Sequence, residues 1–240
     1  MAIRLTDFRV LSFDCYGTLI DWERGLLAAM DGWFLGLEHR PSPDELLETF
    51  AESESSEEQA HPGRPYPSIL AGAGRRLAAR FGRKLSDQEA AAFGRSVRNW
   101  PAFPDSAQAL ELLSSRYALV ILSNVDRESF AHSRRRLGCT FRAVITAEEV
   151  GCYKPDPRMF EAAISRIQEL GFPRESILHV AQSLYHDHVP ARQLGLRTVH
   201  IDRRLGRTGG GATPAPAVPV HPDWTFARLI DLAREAVGDG

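Results

Sequence analysis

Five short apolar runs, each ending in polar or small residues and most of them separated by a helical pattern, constrain this chain more than any other feature. They cover residues 8–13, 117–123, 143–146, 177–180 and 197–201. Helical patterns fall at 105–115, 128–137, 157–170 and 188–194. Runs apolar on both faces read as parallel strands, and strands that alternate with helices read as a sheet covered on both sides. Local signals agree. Asp105 with Gln108, and Thr146 with Glu149, have the spacing of a helix N-cap and its reciprocal partner, and Leu170-Gly171 before Pro173 reads as a stop.

The stretch 25–100 breaks the alternation. It shows no strand pattern and three helical ones: one opening at the capping box Ser42-Pro43-Asp44-Glu45, one over 66–81, and one opening at Ser86. The acidic run 52–58, followed by His61-Pro62-Gly63-Arg64-Pro65, reads as a mobile connection. The expected organisation is a core of residues 1–24 and 101–240 with a helical cap of 25–100 lying over the end of the first strand. Near the other terminus, 206–222 is rich in Gly, Pro and Ala and reads as an irregular loop, with a closing helix expected over 225–237.

Composition narrows the class. With 29 basic and 31 acidic residues in 240, the net charge of −2 gives no electrostatic reason to expect nucleic acid as a partner. The run Arg134-Arg135-Arg136 reads as a solvated helix face. No apolar stretch is long enough to span a bilayer, and the N-terminus lacks the apolar centre of a secretion signal. Three scattered cysteines without C-x-x-C spacing fit a reducing cytoplasm. A cytoplasmic enzyme with no nucleic-acid or membrane partner is expected, with a homodimer left open.

Ligands of parallel α/β sheets bind beyond the carboxyl ends of the strands. The polar residues at that edge are Asp14, Tyr16 and Thr18 after the first strand and Ser123 and Asn124 after the second. Lys154 follows the third strand, and Gln182, Ser183 and Asp187 follow the fourth. Two carboxylates, an ammonium, hydroxyls and an amide thus converge from separate segments.

At these positions the chain resembles the haloacid dehalogenase superfamily, an α/β Rossmannoid fold with helices on both faces of a parallel sheet and an α-helical cap. Phe13-Asp14-Cys15-Tyr16-Gly17-Thr18-Leu19, Leu122-Ser123-Asn124, Tyr153-Lys154-Pro155-Asp156-Pro157 and the run from Val180 to Asp187 are similar, in order, to that superfamily's four motifs. Tyr16 stands where the phosphatases carry a second aspartate, which resembles the carbon–halogen-cleaving branch. The surroundings resemble type II (S)-2-haloacid dehalogenases and L-azetidine-2-carboxylate hydrolase.

The implied roles follow the chemistry. Asp14 is the candidate nucleophile, forming a covalent ester, and Lys154 keeps it ionised. Ser123 and Asn124 donate to Asp14 or to a substrate carboxylate, and Thr18 supports the nucleophile or caps a helix. Asp187, with Ser183 beside it, orients or deprotonates the water that opens the ester. Cys15, Tyr16, Trp22, Arg64, Tyr66 and Trp100 are the expected substrate-binding residues, with Arg64 gripping a carboxylate in bidentate fashion.

His186 and His188 do not share a helix face and read as surface or packing residues. Gln182 replaces a residue that is acidic in metal-dependent relatives. Asp14, Asp187 and Lys154 therefore sum to about −1, too little to hold a divalent cation firmly. No metal or other cofactor is expected, with magnesium reserved for a phosphatase. Phe160, where many dehalogenases have tyrosine, and a 180–187 loop one residue longer than theirs set this chain apart.

The leading expectation is hydrolytic dehalogenation of a small 2-haloalkanoic acid to a 2-hydroxy acid. Ring opening of azetidine-2-carboxylate, a phosphatase and a non-catalytic binding protein are the alternatives.

Overall fold

The computed structural model describes residues 3–36, 40–207 and 210–238. Six parallel strands form one sheet: β1 (Val10–Phe13), β2 (Ala118–Ser123), β3 (Ala143–Thr146), β4 (Ile177–Ala181), β5 (Arg197–Ile201) and β6 (Trp224–Phe226), in the order β3-β2-β1-β4-β5-β6. The chain builds outward from β1 through β2 to β3, then returns to lay β4 on the other flank of β1. Strand order therefore reverses beside β1, where the loops leaving β1 and β4 part and leave a crevice. Phe13 pairs in register with Ile121 of β2 and Val180 of β4, so β1 ends two residues short of β2 and one short of β4.

The first four helices are α1 (Trp22–Ala29), α2 (Pro43–Ala60), α3 (Tyr66–Arg80) and α4 (Asp87–Gly94). Six more follow: α5 (Ser106–Ser114), α6 (Arg127–Leu137), α7 (Ala147–Val150), α8 (Pro157–Glu169), α9 (Val189–Gln193) and α10 (Leu229–Val237). No helix among the described residues is long and apolar enough to cross a membrane. The segment carrying α1 to α4 leaves and rejoins the sheet through two adjacent stretches of chain. Ile20 bridges Ala102, and the Asp21 amide donates to the Pro101 carbonyl at 2.8 Å. Just inside, a Cβ on Gly25 would lie 2.2 Å from the buried Trp100 ring, so only glycine lets α1 press against it. α1 itself crosses the boundary at 24/25 read from sequence.

Three local readings are corrected. The acidic run 52–58 belongs to α2, whose capping box (Ser42 Oγ accepts from the Glu45 amide, the Glu45 carboxylate from the Ser42 amide) starts an 18-residue helix. After its N1 proline the run holds neither Gly nor Pro, and glutamate and alanine sustain a helix. Its apparent solvation was misleading, because Ser53, Glu54, Glu57 and Glu58 are buried. The closing helix begins at Leu229, after Trp224–Phe226 has joined the sheet beside β5. Aromatic and β-branched residues suit that edge, and Trp224 meets Phe8 edge-on at 6.0 Å. Asp105 makes no cap with its side chain; it accepts from Arg203 at 2.9 Å and from the Ile230 amide at 3.2 Å.

Candidate active site

Asp14 is the first residue beyond β1, and its amide still bonds the Val180 carbonyl at 3.1 Å, so strand pairing fixes where the carboxylate emerges. Gly17, at φ +91°, then reverses the chain, and a Cβ there would approach the Trp22 and Gln182 side chains to 3.1 and 3.2 Å. The turn returns Thr18, whose hydroxyl accepts from the Gln182 amide at 2.9 Å and donates to Asp14 Oδ2 at 2.6 Å. The loop after β4 thus orients the hydroxyl that orients the carboxylate.

The other Asp14 oxygen accepts from Lys154 Nζ at 2.8 Å. Lys154 is buried and spends its three N–H bonds on Asp14, on Asp187 Oδ1 at 2.7 Å and on the Leu122 carbonyl at 3.1 Å. Burial disfavours its charge, but the two carboxylates prevail and hold its pKa above the ordinary lysine value. Asn124 secures the loop that carries it: its Oδ1 accepts from the Lys154 amide at 2.6 Å and its Nδ2 donates to the Lys154 carbonyl at 3.0 Å. The expected bond from Asn124 to Asp14 is replaced by this clamp and a 3.4 Å contact to Glu58 Oε1. Ser123, by contrast, is fully buried with a hydroxyl that has no partner, and it lines the cleft.

Asp187 lies in a single π-helical turn, Leu184–His188, begun by Ser183, whose hydroxyl accepts from the His186 amide at 2.9 Å. His179 of β4 lies 3.0 Å from Asp187 Oδ1 through Nε2 and 2.9 Å from the Ser12 hydroxyl through Nδ1. The carboxylate can only accept, so Nε2 carries the proton and Nδ1 accepts from Ser12 in the neutral ring. Phe160 meets that imidazole edge-on at 5.1 Å. Two donors therefore converge on Oδ1, while Oδ2 has no partner. Lys154 and His179 outweigh burial and hold Asp187 below the ordinary carboxylate range. Burial dominates at Asp14 and raises it, against the pull of Lys154 and Thr18. Two carboxylates sharing one ammonium are thus driven apart in acidity.

The cleft over these groups holds about 410 Å³, its open mouth included, and is lined also by Tyr16, Trp22, Glu54, Glu58, Tyr66, His186 and Thr213. Tyr16 and Tyr66 stack with centroids 6.3 Å apart, and the Tyr16 hydroxyl pairs with Ser133 at 3.0 Å. Trp100 stands behind, 5.5 Å from Tyr16 and 6.3 Å from Tyr66. It supports the aromatic wall rather than lining the cleft. Cys15 is wholly buried in the core and does not line the cleft; burial pushes its thiol well up. Arg64 is exposed and outside the cleft, and its carbonyl accepts from Tyr153 Oη at 2.6 Å.

Sequence reasoning missed four residues that line the cleft. Glu54 and Glu58 were hidden in the acidic run, Thr213 in the Gly- and Pro-rich loop, and His186 had been assigned to the surface or to packing. Burial pushes His186 down to about 4, which leaves the ring neutral at pH 7. Among the described residues no group of three or more His, Cys, Asp or Glu side chains is arranged to hold a metal ion.

The parallel α/β sheet thus carries a carboxylate–lysine–carboxylate group at its switch point. A family model for haloacid dehalogenase-like hydrolases matches residues 8–185, and the chain belongs to that family. It is 33% identical over 106 residues to (S)-2-haloacid dehalogenase 4A of Burkholderia cepacia, covering 43% of this chain and 44% of that one. It is 32% identical over 130 residues to a phosphoserine phosphatase of Thermus thermophilus, covering 52% and 50%. These matches span about half the length of each curated relative. An L-2-haloacid dehalogenase from Xanthobacter autotrophicus superposes with a TM-score of 0.76 at 19% identity, over 97% of this chain and 100% of that one. The same enzyme with chloropropionic acid covalently bound gives 0.74. At such identity the likeness is one of fold.

Proposed function

We propose that this chain hydrolyses a small carboxylate-bearing substrate through an ester on Asp14, most directly a 2-haloalkanoic acid to a 2-hydroxy acid, without a metal ion. The carrying observation is Asp14 held between Lys154 and Thr18 with the open oxygen of Asp187 in the same cleft. An Asp14 oxygen attacks the carbon next to the substrate carboxylate, and the carbon–halogen bond breaks with its electron pair leaving as halide. Water then adds to the Asp14 ester carbon, losing a proton towards Asp187 Oδ2. The acyl carbon–oxygen bond of the ester then breaks, the departing oxygen takes up the remaining proton of the added water, Asp14 returns to a carboxylate and the 2-hydroxy acid departs. Tyr16 and Gln182, where metal-dependent enzymes would need carboxylates, leave Lys154 as the compensating charge. Residues 1–24 and 101–240 form the catalytic core in this reading, and residues 25–100 the cap that selects the substrate.

The relatives named for haloacid chemistry support halide as the leaving group. A single turnover in oxygen-18 water tests the route: the first hydroxy acid should carry unlabelled oxygen from Asp14, with label retained in the enzyme. Label in that first product would overturn it. A phosphatase, the reading that the Thermus relative keeps in view, would instead lose turnover with EDTA and regain it with magnesium.

A further inference from the structure

Glu54 and Glu58 stand four residues apart on α2, on one face of that helix, and both line the cleft that contains Asp14. They are 5% and 8% exposed. Glu54 accepts from the Tyr66 hydroxyl at 2.5 Å, and Glu58 accepts from Asn124 at 3.4 Å. No basic side chain among the described residues is bonded to either. Among the residues lining the cleft, the one charged base is Lys154, and its three N–H bonds are already taken by Asp14, Asp187 and the Leu122 carbonyl. Two like carboxyls buried on one helix face cost stability: burial pushes Glu54 up to about 7 against the Tyr66 hydrogen bond, and burial followed by repulsion from Glu54 pushes Glu58 well up. An entering cation would relieve that strain. The rings of Tyr16, Trp22 and Tyr66 share the cleft and offer faces that attract cations. Ser123 adds a separate sign of a missing ligand: a wholly buried hydroxyl that lines the cleft and has no partner.

We propose that this cleft is built for a small substrate carrying a protonated amine, with Glu54 and Glu58 receiving the ammonium, the aromatic rings flanking it and Ser123 bonding another polar group of the substrate. The proposal rests on Asp14 displacement and narrows its substrates to amine-bearing ones. The amine can stand in either of two places. In a strained cyclic amine, the bond from Asp14 to carbon forms as the ring C–N bond breaks. Nitrogen keeps the electron pair and leaves as a neutral amine, and it takes up the proton released when water opens the ester. In an amino acid with a halogenated carbon, halide leaves and the ammonium is untouched.

Binding to Asp14→Asn, which cannot form the ester, separates recognition from chemistry. Calorimetry with azetidine-2-carboxylate and its carbon isostere cyclobutanecarboxylate should give about tenfold or more tighter binding for the amine. That preference should disappear when Glu54→Gln and Glu58→Gln are added, with the melting temperature recording that the variant is folded. Equal or tighter binding of the isostere overturns the proposal without recourse to the cap variants, and so does a preference that survives both substitutions. On the wild type, the mass of an Asp14 adduct with azetidine-2-carboxylate or 3-chloroalanine distinguishes ring nitrogen from halide as leaving group. That adduct reports displacement separately: absent with both substrates while the binding preference holds, it is Asp14 displacement that fails, and amine recognition stands.

Discussion

At the end of the sheet, Asp14 and Asp187 face a single ammonium at 2.8 and 2.7 Å, and every N–H of that lysine is used. Across the cleft, Glu54 and Glu58 are as deeply buried, yet their partners are a phenol and an amide. Net charge is balanced to within one unit on the sheet side and left open on the cap side. The sheet side is thus a finished device that needs no outside charge, whereas the cap side is completed by whatever it receives. In the proposed reading, displacement falls to the sheet side and substrate choice to the cap side of one cleft.

The contrast breaks most sharply at Lys154. Lys154→Met leaves two buried carboxylates without their cation, so turnover should fall by about a thousandfold or more. Unfolding by urea should show a loss of roughly 3–5 kcal/mol. Stability retained within 1 kcal/mol would mean that the pair is not compensated as described. A smaller effect is expected at His179, which acts on Asp187 rather than on substrate. His179→Ala should lower kcat about tenfold with KM little changed, and the Asp14 ester should accumulate because its hydrolysis is slowed. A rise in KM instead would place His179 in substrate binding.

The gentlest probe is pH. Folding raises the Glu54 carboxyl to about 7. Its contribution to stability is intact below the unfolded value near 4.5 and is lost as pH climbs through 7. Between pH 5 and 8 the wild type should lose up to about 3 kcal/mol relative to Glu54→Gln. Parallel stability curves would show that this carboxyl is not strained. Activity should show an acid limb displaced above the ordinary aspartate range, because Asp14 must be ionised and burial raises it.

The sheet side was legible in the sequence because β1, β2 and β4 are largely apolar runs, Asp14 and Asn124 directly follow two of them, and Lys154 and Asp187 lie in the loops that leave β3 and β4. Asp14, Ser123, Asn124, Lys154 and Asp187 were found by that placement, and the structure gathers them. The cap side was not. Glu54 and Glu58 sit in a seven-residue run of glutamate and serine, and whether such a face meets water or a cleft is decided by packing, not by propensity. Arg64 erred in the opposite sense: its chemistry suited a carboxylate, but it lies exposed in the turn between α2 and α3, outside the cleft. His179 escaped because a histidine inside an apolar strand reads as core, and only the pairing of β4 with β1 brings Ser12 to its other nitrogen.

Ile20 touches Ala102, and Asp21 is bonded to Pro101, so the chain enters and leaves the four helices between them at one place on the sheet. Lengthening, shortening or exchanging that appendage removes no strand and shifts no register. If that segment selects the substrate, as proposed, it can be exchanged while the residues set by the strand ends keep their places.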